Sequence, residues 1–266
     1  MPKNTTLSTD VNEETLALLK ESYPIETGNQ RINLPRLGLY AKDQTEGKGK
    51  AMKVTTEAGV FFINKPTDEE GEDGKKLWVT DELGTSIDGI ILFQRKALSF
   101  FDGNAQSYTK SPVYDNDDEV IPLFCEGAEV GRGTPAELKA MYEFEEDGKK
   151  KSKLKDNRVL YVEYKGSIYQ MTLGGSSMFS FLTYSRKIVP PSVITTFSSE
   201  PKQKGSNAWN QMTFNAKRKL TQPEALDIVN KVREIKEVIR AEKSQYAGSS
   251  KGKADREFDA IPSKSF

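Results

Sequence analysis

Arg95 and Lys96 stand between Phe93 on one side and Phe100 and Phe101 on the other, in the run IDGIILFQRKALSFF from Ile87 to Phe101. Side chains alternate along a strand, so such a run sets rings and cations side by side. That combination is what a groove for single-stranded nucleic acid needs. Arg and Lys follow the phosphates while rings stack on bases, each stacked base contributing roughly 1–3 kcal/mol. The competing reading is an edge strand whose Phe side chains point into a core.

The same pairing of types recurs along the chain. Tyr108 and Lys110 follow within the segment YTKSPVYDNDDEVIPLF. Lys149 to Lys155 hold five lysines, of which Lys151 and Lys153 are candidates for phosphate contact, with a solvated loop as the alternative. Tyr161 stands among polar neighbours in NRVLYVEYKGSIYQMTL, Tyr184 precedes Arg186 and Lys187, and Trp209 opens WNQMTF. Phe93, Arg95, Lys96, Phe100, Phe101, Tyr108, Lys110, Lys151, Lys153, Tyr161, Tyr184, Arg186, Lys187 and Trp209 are therefore the candidate nucleic-acid-binding set.

Other chemistries are poorly served. The chain has no histidine and one cysteine, Cys125. An internal disulfide, a zinc finger, ribbon or knuckle, and any imidazole-based triad are excluded. Asp115, Asp117, Asp118 and Glu119 could hold Mg²⁺ for nuclease work, but their spacing matches no calcium loop and a solvated turn explains them. Gly174-Gly175-Ser176-Ser177 lacks the Gly-Lys-Ser/Thr ending of a phosphate loop and reads as a sharp bend. No catalytic residue, metal or cofactor is expected. The 39 basic and 39 acidic residues cancel, so any attraction for a polyanion has to come from local patches.

The elements that would position these residues are mainly strands. Val159–Tyr164 and Ile168–Leu173 flank Lys165-Gly166, a two-residue hairpin connection. That register sets Tyr164 against Ser167, Val162 against Tyr169 and Leu160 against Met171 on one face, which reads as core. Tyr161, Glu163, Ile168 and Gln170 share the other, which reads as a wet aromatic platform. Further strands are expected over Lys53–Asn64, Leu77–Val79, Ile87–Phe101, Val120–Phe124 and Trp209–Phe214. The acidic stretch Pro66–Lys76 and the polar stretch Ser198–Asn207 read as loops. Thr134-Pro135-Ala136-Glu137 and Thr221-Gln222-Pro223-Glu224 are capping boxes opening a connector helix to about Glu145 and a long helix to about Tyr246. The long helix carries a stripe of Leu226, Val229, Val232, Ile235 and Ile239, wide enough to dock on a body or to pair with a second subunit. A short helix capped by Thr9 or Asp10 precedes Pro24.

The expected architecture is mainly β with flanking helices (α+β): an OB-like small β-barrel with an inserted connector helix and a long C-terminal helix. A sandwich with a terminal helix is the second choice. Residues 1–27 form a helical arm, 28–220 the OB-like domain with long loops, 221–246 the C-terminal helix and 247–266 a disordered tail.

The segments ILFQRKALSFFDG, Tyr108-Thr-Lys-Ser-Pro, the central hairpin with its GGSS elbow, and GSNAWNQMTF before a capped helix resemble phage-type single-stranded-DNA-binding proteins over about residues 85–240. The resemblance implies an OB-fold groove of aromatics and cations that coats displaced strands in replication and recombination, with DNA favoured over RNA. It also implies a C-terminal tail that recruits replication proteins, although such tails are strongly acidic and this one is not. The expected place of work is the cytoplasm, of a host if the chain is phage-encoded. No apolar run approaches 18 residues, so no membrane partner is expected. The alternative is a structural or assembly protein of a virus or large complex, for which neutral charge and a docking helix suffice.

Overall fold

The computed structural model describes residues 11–21, 34–46, 53–70 and 76–247. Its spine is one strand of 17 residues, β6 (Ser86–Asp102), in the middle of the chain's longest apolar alternation. Against it lies the hairpin of β12 (Lys155–Tyr164) and β13 (Ser167–Leu173), in the register expected from Lys165-Gly166. Lys165 has φ of 49° and Gly166 of 84°, the paired positive values that a right-twisted two-residue hairpin requires.

Around this spine the remaining strands are β1 (Arg36–Leu39), β2 (Gln44–Glu46), β3 (Lys53–Thr56), β4 (Phe61–Glu70), β5 (Lys76–Gly84), β7 (Ser107–Lys110), β8 (Ile121–Cys125), β9 (Ala128–Gly133), β10 (Glu143–Glu146), β11 (Lys149–Ser152), β14 (Val193–Lys204) and β15 (Asn207–Lys219). The helices are α1 (Glu13–Glu21), α2 (Pro135–Met141), α3 (Gly175–Ser185) and α4 (Gln222–Ala247). The order β5-β4-β1-β13-β12-β6-β7-β8-β9, with the β14–β15 ribbon pairing onto the start of β6, makes one 11-stranded sheet. Within it β1 runs parallel to β13 while its other neighbour, β4, is antiparallel.

The small OB-like barrel expected from the sequence is therefore not the fold. The sheet is mixed and far larger, and among the described residues no pairing joins β5 to β9 to close it. Two stretches read as loops are responsible for much of the difference. Pro66–Glu70 continues β4, and Ser198–Lys204 continues β14 in register with Asn207–Thr213. Polar composition misleads there because an antiparallel ribbon with one wet face needs few apolar residues.

Three cores result. One face of the β12–β13–β1–β4 region packs Leu160, Val162, Met171 and Leu37 against α3 and β14–β15, through Phe181, Tyr184, Phe197 and Phe214. The opposite face packs Phe93, Val159 and Tyr161 beneath Leu19 of α1 and Ile228, Val229, Val232 and Ile235 of α4. A smaller cluster of Leu98, Tyr114, Ile121, Leu123, Leu138 and Leu154 lies under α2. Leu226, placed on the docking stripe by spacing, is instead 45% exposed, and Ala225 and Ile228 take the buried side.

The first capping box forms completely and half of the second is made. Thr134 Oγ1 accepts from Glu137 N while Glu137 Oε2 accepts from Thr134 N at 2.7 Å, and Glu224 Oε2 accepts from Thr221 N at 2.8 Å and from the Thr221 hydroxyl at 3.0 Å. Helix α2 ends at Met141 rather than near Glu145, because Glu143–Glu146 leaves to pair with Lys149–Ser152. Thr9 and Asp10 lie outside the described residues. Asn12 Oδ1 accepts from Thr15 N at 2.8 Å and caps α1. Residues 1–10 and 22–27 of the expected arm and the tail beyond Ala247 likewise lie outside the described residues.

Candidate nucleic-acid interface

The 14 candidates separate into a buried group and three surface groups. Phe93 and Tyr161 are buried and stack on each other, ring centroids 4.1 Å apart and planes 17° apart. Burial raises the Tyr161 phenol above its ordinary pKa, partly offset by the nearby Arg95 charge. Neither ring offers a face to solvent, so the platform expected at Tyr161 is core beneath α4. Arg95 is buried too: its Nε donates to Asp115 Oδ1 at 2.9 Å and its Nη2 to Asp115 Oδ2 at 3.2 Å. It is a structural cation. Tyr184 is the fourth buried candidate; its hydroxyl and that of Thr195 share a 2.7 Å hydrogen bond, and burial pushes its pKa up to about 12.

The first surface group lies on the α4 side of the sheet, past the point where the helices stop covering it. Beyond Ala97, β6 carries Ser99 and Phe101 on this face, and pairing sets Lys155, Ser99, Lys110 and Phe124 in one row across β12, β6, β7 and β8. Phe101 and Tyr108 form the next row, with ring centroids 5.2 Å apart at a 38° tilt. Phe101 is 42% exposed, and Tyr108, Lys110 and Phe124 are half-buried. Asn157 Nδ2 donates to Ser99 Oγ at 2.8 Å and holds the base of this surface. Rings and lysines are thus brought together on adjacent strands about 4.8 Å apart. Lys155 and Phe124 belong to this group and were missed. The sequence holds the signal for both, but only the cross-strand register brings it out.

The second group lies on the opposite face. Phe100 packs toward Tyr142, and Lys153 Nζ sits 5.6 Å from the Phe100 ring centroid. Lys151 forms a 2.7 Å ion pair with Glu146, so this lysine run is a strand neutralised by its hairpin partner rather than a loop at the mouth of the central hairpin. Lys96 pairs with Asp117 at 2.7 Å. Directly across from Lys96 stands Arg158, another residue that was missed, whose buried Nε has no hydrogen-bond partner. Alternation placed Arg158 on the face of Leu160 and Val162, where a cation breaks the apolar pattern and could have been noticed.

The third group surrounds α3. Arg186 and Lys187 are exposed at its C-terminal end, and Trp209 Nε1 donates to Ser176 Oγ at 3.1 Å. The GGSS elbow acts as a bend: Gly175 has φ of 51°, and Ser177 Oγ accepts from Met212 N at 3.0 Å.

The acidic knot is used internally. Asp115 holds Arg95, Asp117 holds Lys96, and Glu119 Oε1 accepts from the backbone N–H groups of Asp115 and Asn116 at 3.0 and 2.8 Å. Among the described residues no group of His, Cys, Asp and Glu is arranged to hold a metal ion. No helix among them is long and apolar enough to cross a membrane. No protein-family model, curated protein or solved structure matches this chain.

Proposed function

We propose that the chain binds single-stranded DNA, without strong sequence preference, across the open sheet face of β6, β7 and β8. The observation that carries this reading is the Phe101–Tyr108 ring pair, partly exposed on a strand surface and flanked one row away by Lys110 and Lys155. Stacked bases find two rings there, and the lysines are placed to meet phosphates. Binding of this kind releases counterions, so affinity falls steeply as salt rises. The role that goes with it is coating displaced strands in replication or recombination in the cytoplasm.

A fluorescence titration with oligo-dT at two salt concentrations tests the reading. Phe101→Ala and Tyr108→Ala should each weaken binding about 5- to 150-fold, the equivalent of roughly 1–3 kcal/mol per stacked base. Lys155→Gln should flatten the salt dependence. No binding at low salt overturns the proposal and returns the assembly reading.

A further inference from the structure

Strand β15 pairs only with β14, so its other edge is open to whatever the fold places beside it. Along that edge the chain answers two of the outward N–H groups itself. Asn210 N donates to Ala41 O at 2.8 Å, and Met212 N donates to Ser177 Oγ. The antiparallel ladder alternates, so the next outward groups are those of Phe214 and Ala216. Among the described residues no acceptor meets them.

Beside this stretch is an open cleft of about 670 Å³ between β15 and one side of α3. Phe179 and Thr183 line it from the helix, one turn apart, and Lys187 and Ile188 line it just past the helix end. Phe179 is 64% exposed, the most exposed large apolar side chain among the described residues. The lining contains a lysine and no carboxylate. Nearby Lys217 and Arg218 are already paired, with Asp88 at 2.6 Å and with Glu224 at 2.7 Å. Lys187, which lines the cleft, has no ion pair among the described residues and stands where it would meet an incoming negative charge.

We infer that this edge is a docking site for an extended peptide of a partner protein, one that adds as a strand to β15 at Phe214–Ala216. Its chemistry is set by the cleft: an apolar side chain to lie against Phe179 and Ile188, and an acidic residue to meet Lys187. Main-chain hydrogen bonds to a sheet edge supply affinity in such an arrangement, and the pocket beside it supplies selectivity. The site is separate from the Phe101–Tyr108 surface, so the two can be occupied independently.

The test uses the full chain and two labelled synthetic peptides. In one, glutamates alternate with valines around a central phenylalanine; in the other, lysines replace the glutamates. The acidic peptide should bind, slow hydrogen exchange at the Phe214 and Ala216 amides, and lose at least tenfold in affinity with Phe179→Asp or Lys187→Glu. Phe179 and Lys187 are exposed, so these variants should fold, and the exchange measurement needs no variant. Equal binding of both peptides, no change in exchange, or indifference to Phe179→Asp would overturn the inference. So would displacement of the peptide by oligo-dT, which would give the cleft to nucleic acid. Binding only after removal of residues 248–266 would overturn it in favour of an occupant within the chain.

Discussion

Replacing Asp115 by alanine should cost this protein a large part of its stability while leaving its oligonucleotide affinity unchanged. The Arg95 side chain is 0% exposed and that of Asp115 is 4%, so the pair is shielded from water on both sides. Two hydrogen bonds, at 2.9 and 3.2 Å, join guanidinium to carboxylate, and a third runs from Arg95 Nη2 to Val113 O at 3.4 Å. Asp115→Ala strands a buried cation, for which the expected loss is about 3–5 kcal/mol. Against a total of roughly 5–15 kcal/mol this is severe. With a urea slope near 3 kcal/mol/M it moves the midpoint down by about 1 M or more. The double change Arg95→Met with Asp115→Leu removes both charges and should recover much of the loss, because the desolvation cost disappears with them. Urea unfolding followed by tryptophan fluorescence reads both. A loss under about 1 kcal/mol for Asp115→Ala, or a double variant no better than the single, would refute the reasoning. So would a folded Arg95→Met protein that binds oligo-dT more weakly, since that would return Arg95 to the phosphates.

Tyr161→Ala should lower stability by about 3–5 kcal/mol in thermal unfolding, the range for removing a buried aromatic, whereas Phe101→Ala should stay within about 1 kcal/mol. Gly89→Ala should destabilise by about 1–3 kcal/mol, because a methyl there would lie 2.9 Å from the Glu163 carbonyl oxygen and 3.1 Å from Val162 Cγ1. The Glu224 carboxyl, held by Arg218 and by Thr221, is lowered from 4.5 to about 2. A depressed folded pKa contributes stability that is full above about pH 4.5 and is lost as pH falls toward 2. With the side chain 38% exposed, solvent screening holds that contribution to about 1 kcal/mol. Glu224→Gln should therefore differ from the parent in urea midpoint at pH 7 and match it near pH 2.

Features decided by near neighbours in the chain were legible from sequence. Lys165-Gly166 defined its hairpin and the register of seven cross-strand pairs. The two Thr-x-x-Glu boxes defined the starts of α2 and α4. Features decided at a distance were not. Arg95 looks like a phosphate ligand until Asp115, 20 residues later, is folded against it. Tyr161 has polar neighbours in Glu163 and Gln170 and reads as wet, yet α4 lies over it, with Lys231 Nζ 3.9 Å from Glu163 Oε1. The open sheet was hidden for the same reason. Strand β1 lies between β4 and β13, a placement that no local pattern announces. Of the candidate site, the pairing of Phe101 with Tyr108 was within reach, since a short hairpin joins their strands; Lys155 required the β12–β6 register.

The insertion of β1 has a consequence for how the chain acquires its structure. Arg36 is partnered by Gln170, and α1 is tied to the last helix by Asn12 N donating to Gln222 Oε1 and Gln222 Nε2 donating to Thr15 Oγ1. Strand β1 can pair with β4 early, but its β13 side and helix α1 gain their native neighbours only when segments more than 130 residues further along the chain are in place. Closing such long loops before any contact rewards them is slow, which places refolding with the non-local β proteins, in milliseconds to seconds rather than microseconds. During that interval the edge of β1 that β13 will cover is available to other chains, and the lysines and carboxylates along the neighbouring β4 and β5 oppose such pairing.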